Sequence, residues 1–151
     1  MSVEVRRVAG TDPVAVAFAQ AMVDEVGRLY EPGLQAGPSA HPSELSPPGG
    51  GFVVLWEAGR ALAGGGVKRL DDEACEIKRM YVAPDARGRG LARVLLGALE
   101  DLARDLGYAI ARLDTGPSQA AALALYPRAG YVDIPDYNGN PYASYWGEKR
   151  L

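Results

Sequence analysis

The chain has 151 residues, 48% of them hydrophobic and 23% charged, with a formal net charge of −3. That length fits one domain over residues 1–151 with a full core, and the acidic balance argues against nucleic acid, which needs a basic partner surface. No apolar run is long enough to cross a bilayer, and the opening MSVEVRRVAG lacks an apolar leader core, so a cytoplasmic protein with no membrane contact is expected.

One cysteine, Cys75, excludes an internal disulfide, and no Cys/His spacing suggests a metal. It reads most simply as a small core residue, since a nucleophile would want a nearby base and His41 is distant in sequence.

Residues 2–8 alternate in character (Val3 and Val5 against Glu4 and Arg6) and predict a first strand. Thr11 or Asp12 can cap a helix that has Pro13 at its favoured first position. Val14, Phe18, Ala21, Met22, Glu25, Val26 and Leu29 then form a mostly apolar stripe to about Tyr30. Residues 31–51 are rich in Pro and Gly and predict a long loop, with one helical turn around Glu44 and Leu45. Loops of this length in compact domains are either functional or mere connectors.

Residues 52–56 and 60–70 predict two strands joined by a tight turn at Glu57-Ala58-Gly59. Inside the second, Gly64-Gly65-Gly66 suggests a bulge or a close approach by another backbone. Residues 75–82, CEIKRMYV, predict the next strand, broken by Pro84 and Asp85. Leu91, Leu95, Ala98, Leu99, Leu102 and Leu106 lie on one stripe of a helix over 91–106, which Gly107 stops. Residues 108–114 predict a strand, reached by a parallel crossover. A short helix from Gln119 to about Tyr126 follows. Residues 131–134 and 143–149 complete the set as strands around the polar loop 135–141.

The stretch that carries chemistry is Arg87-Gly88-Arg89-Gly90-Leu91-Ala92, a glycine-broken loop feeding a helix N-terminus. Glycine lets backbone approach a ligand, and the first helical turn presents unpaired N–H groups with a partial positive charge. That is a phosphate site, with Arg87, Arg89 and Arg93 adding charge. The segment resembles the GNAT superfamily of acyl-CoA-dependent N-acetyltransferases. Their Arg/Gln-x-x-Gly-x-Gly/Ala hallmark is matched by Arg87, Gly90 and Ala92, with the Val82-Ala83-Pro84 lead-in and the downstream run from Leu125 to Tyr131 in order.

The resemblance implies an α/β (α+β) fold: a mixed, mostly antiparallel sheet of six or seven strands with helices on both faces. It implies transfer of an acetyl group from acetyl-CoA to a primary amine of a small molecule or peptide, without a metal. Met80, Tyr81 and Val82 would hold the pantetheine arm as a strand would. The loop from Arg87 to Ala92, with Arg93, would hold the diphosphate, and Gln119 would be a further coenzyme contact. Glu76 is the candidate base for the amine; its alternative is a cross-strand ion pair. Tyr126 is the candidate acid for the leaving thiolate, since its ordinary pKa is about 10; its alternative is a core aromatic. Pro127 directly after it disfavours helical geometry there. Tyr137, Asn138 and Asn140 fall in the loop expected near the acceptor. A homodimer through the terminal strands is implied by the resemblance alone.

Two rivals remain. A dinucleotide-binding turn fails in detail, because Arg93 stands where a third glycine belongs and residues 83–87 separate strand from glycines. A non-catalytic acyl-CoA sensor of the same fold differs from an enzyme only in turnover.

Overall fold

The computed structural model describes residues 2–29 and 40–151. Tyr30 and most of the expected loop, through residue 39, lie outside the described residues.

Among the described residues, seven strands form one sheet in the order β1-β2-β3-β4-β5-β7-β6. They are β1 (Glu4–Val8), β2 (Gly51–Glu57), β3 (Arg60–Arg69), β4 (Ala74–Val82), β5 (Ile110–Thr115), β6 (Val132–Asp133) and β7 (Tyr145–Arg150). Every pairing is antiparallel except β4 with β5. The three α-helices are α1 (Pro13–Leu29), α2 (Leu91–Asp105) and α3 (Ala120–Arg128). This is the expected mixed α/β fold.

Helices cover both faces, and β2 shows why its apolar run is continuous. Val53 and Leu55 join a core with Leu95, Leu96 and Leu99 of α2, while Phe52 and Val54 join Ala15 and Phe18 of α1 and Leu45. A strand buried on both sides needs apolar residues at every position. Leu95, Leu96 and Leu99 are at most 1% exposed, and each such side chain contributes about 1.5–3 kcal/mol.

The helix limits follow local chemistry. Of the two candidate caps for α1, Asp12 acts: its Oδ1 accepts the Val14 amide at 3.0 Å. Leu45 belongs to a 3-10 turn, Pro42–Leu45, as the sequence suggests. Gly107 adopts φ +95° where α2 ends. Tyr108 and Ala109 are spent on leaving that helix and on hydrogen bonds to Ala103 and Glu73, so β5 starts two residues later than expected. No described helix is long and apolar enough to cross a membrane.

The glycine triplet lets the layers come close. A Cβ on Gly64 would lie 2.8 Å from Phe52, on Gly65 2.9 Å from Leu99, and on Gly66 2.9 Å from Leu45. Successive glycines thus serve opposite faces. The bulge sits across from them: Gly64 pairs with Tyr81 and Gly66 with Lys78, leaving Arg79 and Met80 opposite Gly65 alone. Arg79 takes φ +60° to accommodate the extra residue. In an L-residue that conformation costs about 1–2 kcal/mol.

Cys75 is fully buried and its thiol is pushed up to about 12, chiefly by burial. Thiolate is the reactive form. Native protein at about pH 8 should therefore leave a disulfide reagent such as DTNB uncoloured, and denaturant should release one thiol per chain; prompt native labelling would contradict this packing.

Candidate active site

The sheet opens where β4 and β5 part. These parallel strands pair only through Ala74–Ile110, Cys75–Ala111 and Glu76–Arg112, after which β4 runs on to Val82 without β5 beside it. The gap is a cleft of about 640 Å³, walled by α1, β4, the start of α2, the end of β5 and α3. All the expected donor-binding residues except Arg89 line it, and so does Tyr126. Glu76 does not.

At one end lies the glycine loop. Gly88 (φ +82°) and Gly90 (φ +76°) both need the left-handed region, yet a Cβ on either would meet nothing within 4 Å. Their freedom serves the backbone path and access from outside, not packing. Gly90 caps α2 without a side-chain hydrogen bond. The amides of residues 88–93 donate to no other described group, so they are open to an anion.

The arginines are less free than the sequence implies. Arg87 donates to both carboxylate oxygens of Glu25 on α1 (2.8 and 3.0 Å) and to the Val82 carbonyl (3.0 Å), with its guanidinium 5.4 Å from the Tyr81 ring centre. Arg89 turns away to Glu57, at 2.6 Å. Arg93 is exposed and has no ion pair among the described residues. Gln119 lines the cleft, while its side-chain oxygen accepts the Gly116 amide at 3.0 Å.

Tyr126 stands in the middle. Despite Pro127, helix α3 continues through Arg128, and the Tyr126 carbonyl accepts from the amides of Ala129 and Tyr131. Its ring packs between Tyr131 and Tyr145, and its hydroxyl lies 4.0 Å from the Met80 sulfur. Burial, then the nearby charge of Asp114, pushes its pKa up, so the phenol keeps its proton through neutral pH.

At the other end is an acid network. Glu76 is 3% exposed; one oxygen meets Lys78 Nζ at 3.1 Å, and the other accepts from Tyr137 Oη and from Asn138 Nδ2 at 3.0 Å. The same Asn138 amide donates to Asp114 Oδ2, which also accepts from Asn140 Nδ2 at 3.2 Å. The Trp146 indole N–H needs an acceptor and takes Asn138 Oδ1 at 3.0 Å, which fixes the direction of that amide. Burial, then the charge of Glu76, raises the Tyr137 pKa and keeps it a donor. Thus the expected loop reaches the site through its side chains: Tyr137 donates to Glu76, Asn140 to Asp114, and Asn138 bridges the two carboxylates. Only Asp114 of that pair lines the cleft.

Sequence reasoning missed Asp114 as an acid of this site, Glu25 as the partner of Arg87, and Arg79. Arg79 lines the cleft and is 9% exposed. Burial lowers its pKa, offset in part by Glu76 and Asp114. The available signal was a pair of adjacent cations, Lys78 and Arg79, inside an otherwise buried strand.

A profile of the acetyltransferase (GNAT) family matches residues 18–131. The uncharacterized N-acetyltransferase YjgM of Escherichia coli is 35% identical over 95 residues, 61% of this chain and 56% of that protein. An IAA acetyltransferase of Azospirillum brasilense is 40% identical over 84 residues, 54% of each. The chain therefore spans about half the length of these curated relatives. Among solved structures, one from Klebsiella pneumoniae, provisionally assigned as an acyl-CoA N-acyltransferase, superposes with TM-score 0.79 at 29% identity, covering 99% of this chain and 97% of that one. A GNAT family acetyltransferase from Elizabethkingia anophelis with acetyl-CoA bound has TM-score 0.69 at 15% identity, covering 99% and 98%, and is alike in fold. With the family profile spanning most of the sequence, this chain belongs to the GNAT acetyltransferase family.

Proposed function

We propose that the chain transfers an acetyl group from acetyl-CoA to a primary amine of a small molecule or peptide, by direct attack with both substrates in the cleft. The observation that carries this reading is the fork between β4 and β5: free helix-start amides at one end, a protonated Tyr126 in the middle, and a paired-carboxylate network at the other. The structure of the Elizabethkingia relative with acetyl-CoA supports the donor.

The chain's residues divide the work. Amides of residues 88–93 take the donor's diphosphate, with Arg93 adding charge, and Gln119 flanks it. The unpaired edge of β4 at Met80, Tyr81 and Val82 aligns the pantetheine arm and offers a backbone N–H to the charge that develops on the thioester oxygen; such a donor is worth about 3–4 kcal/mol in other acyl-transfer enzymes. An alkylammonium with its ordinary pKa of about 10 must lose a proton before attack. Asp114 receives that proton at the cleft wall. Glu76, the base expected from the sequence, stands one amide behind and holds Asn138 toward Asp114. As the C–N bond forms and the C–S bond breaks, Tyr126 gives its proton to the departing thiolate.

Titration calorimetry with acetyl-CoA, followed by thiol release against an amine library, tests the reading. Wild type should bind the donor and release thiol only with an amine present; binding without turnover marks a sensor, and no binding rejects the site. Tyr126→Phe should keep donor affinity and lower kcat by about 10-fold to 100-fold. Because burial raises the Tyr126 pKa, wild-type activity should show no alkaline loss from this group up to about pH 10. Full activity in the Phe variant would remove Tyr126 from the mechanism.

A further inference from the structure

We propose that Arg79 receives a carboxylate of the acceptor, so that the acceptor is an α-amino acid or a similar amine with a carboxylate beside it. This rests on the acyl-transfer reading above and narrows it to a substrate class.

A guanidinium carries five N–H donors and cannot shed its charge, so when buried it is ordinarily paired on several sides. Arg79 is 9% exposed and lines the cleft, yet its guanidinium makes no hydrogen bond or ion pair with the described residues. The two acids whose charges reach it, Glu76 and Asp114, are already engaged by others. Glu76 is held by Lys78, Tyr137 and Asn138, and Asp114 by Asn138 and Asn140. A buried cation with its donors unspent, in the wall of a cleft, is built for an anion that arrives from outside.

The backbone supports this. Arg79 is the extra residue of the β4 bulge and sits at φ +60°, a conformation glycine would adopt without strain. Strained non-glycine positions cluster at functional sites.

Charge balance selects the class. Glu76 and Asp114 oppose Lys78 and Arg79, so this end of the cleft is formally neutral. A simple ammonium would add a net charge to a half-buried site, whereas a zwitterion adds none. Its ammonium faces Asp114 and its carboxylate meets the Arg79 fork, which matches carboxylate geometry in two parallel hydrogen bonds.

The test uses wild-type protein first: thiol release from acetyl-CoA with the proteinogenic L-α-amino acids, each beside its carboxamide and its decarboxylated amine. At least one amino acid should exceed both counterparts in kcat/KM by roughly tenfold to a hundredfold. Arg79→Gln should erase that margin by losing the carboxylated acceptor alone, and Arg79→Lys should restore it only in part. Acetyl-CoA calorimetry on each variant checks that the fold and donor site persist. If amines without a carboxylate turn over as well as those with one, the inference is overturned while acyl transfer stands. If no amine turns over and acetyl-CoA does not bind, the function reading fails and takes this inference with it.

Discussion

Asp114→Asn is expected to lower kcat by about 10²–10³, or roughly 3–4 kcal/mol of barrier, with donor affinity unchanged. The geometry behind that figure is the division between two acids bridged by one amide. Asp114 lines the cleft, while Glu76 lies behind it with both oxygens taken by Lys78, Tyr137 and Asn138. Removing the acceptor of the ammonium proton leaves the reaction dependent on whatever free amine exists in solution. That fraction falls about tenfold per pH unit below the amine's pKa, so the deficit should widen toward low pH. Glu76→Gln keeps the shape of the network but weakens the hold on Asn138, and a smaller loss is expected, again largest at low pH. Comparing pH–rate profiles of the two variants decides their roles. Should Glu76→Gln match or exceed the loss in Asp114→Asn, the proton goes to Glu76 and Asp114 only positions the loop. A profile unchanged in both variants would remove the acid network from catalysis altogether.

What the sequence reveals of this site depends on how far apart its partners lie. Helix α2 and the glycine loop are local: leucines three and four apart, then a turn whose glycines have no packing role. They were readable because every determinant sits within a few residues. The strands were readable too, although their ends moved where turns consumed residues. The bulge left a fainter trace. Cys75 and Ile77 face the α2 core, but so do Met80 and Val82, so the alternation slips by one at Arg79. That slip is visible only once burial is known, because Met80-Tyr81-Val82 reads in the sequence as one continuous apolar run. By contrast, Arg87 with Glu25 and Arg89 with Glu57 are set by tertiary approach across 62 and 32 positions, and nothing local in the sequence marks them. The pairing of Glu76 with Asp114 through Asn138 is likewise a product of the β4–β5 fork, which exists only once both strands and the loop before β7 are in place. Pro127 shows the reverse error: the local rule disfavours helix at Tyr126, yet α3 runs through it to Arg128, where the Tyr126 carbonyl takes the closing hydrogen bonds from Ala129 and Tyr131.

Gly90→Val should raise the acetyl-CoA Kd by about 100-fold or more while leaving the protein folded. Gly90 sits at φ +76°, where a branched residue is strained by about 1–2 kcal/mol, enough to lower Tm by several degrees in a chain of this size. That is a modest effect, since no described atom lies within 4 Å of the new Cβ. The loss of binding has a separate cause: strain at φ +76° would turn the Gly90 peptide, and with it the amides at the start of α2, away from their present direction. Gly97→Ala provides the control in the same helix. Its Cβ also meets nothing within 4 Å, but it lies away from the loop, and alanine in a helix interior stabilises by about 0.5–1 kcal/mol relative to glycine. Donor affinity should be unchanged there and Tm slightly higher. Calorimetry on both variants thus separates backbone access from helix stability. If Gly90→Val binds acetyl-CoA as wild type does, the diphosphate is not held by these amides, and the arginines must carry it. In that event Arg93→Ala, which should otherwise cost little, would become the damaging change, because Arg87 and Arg89 are already engaged with Glu25 and Glu57.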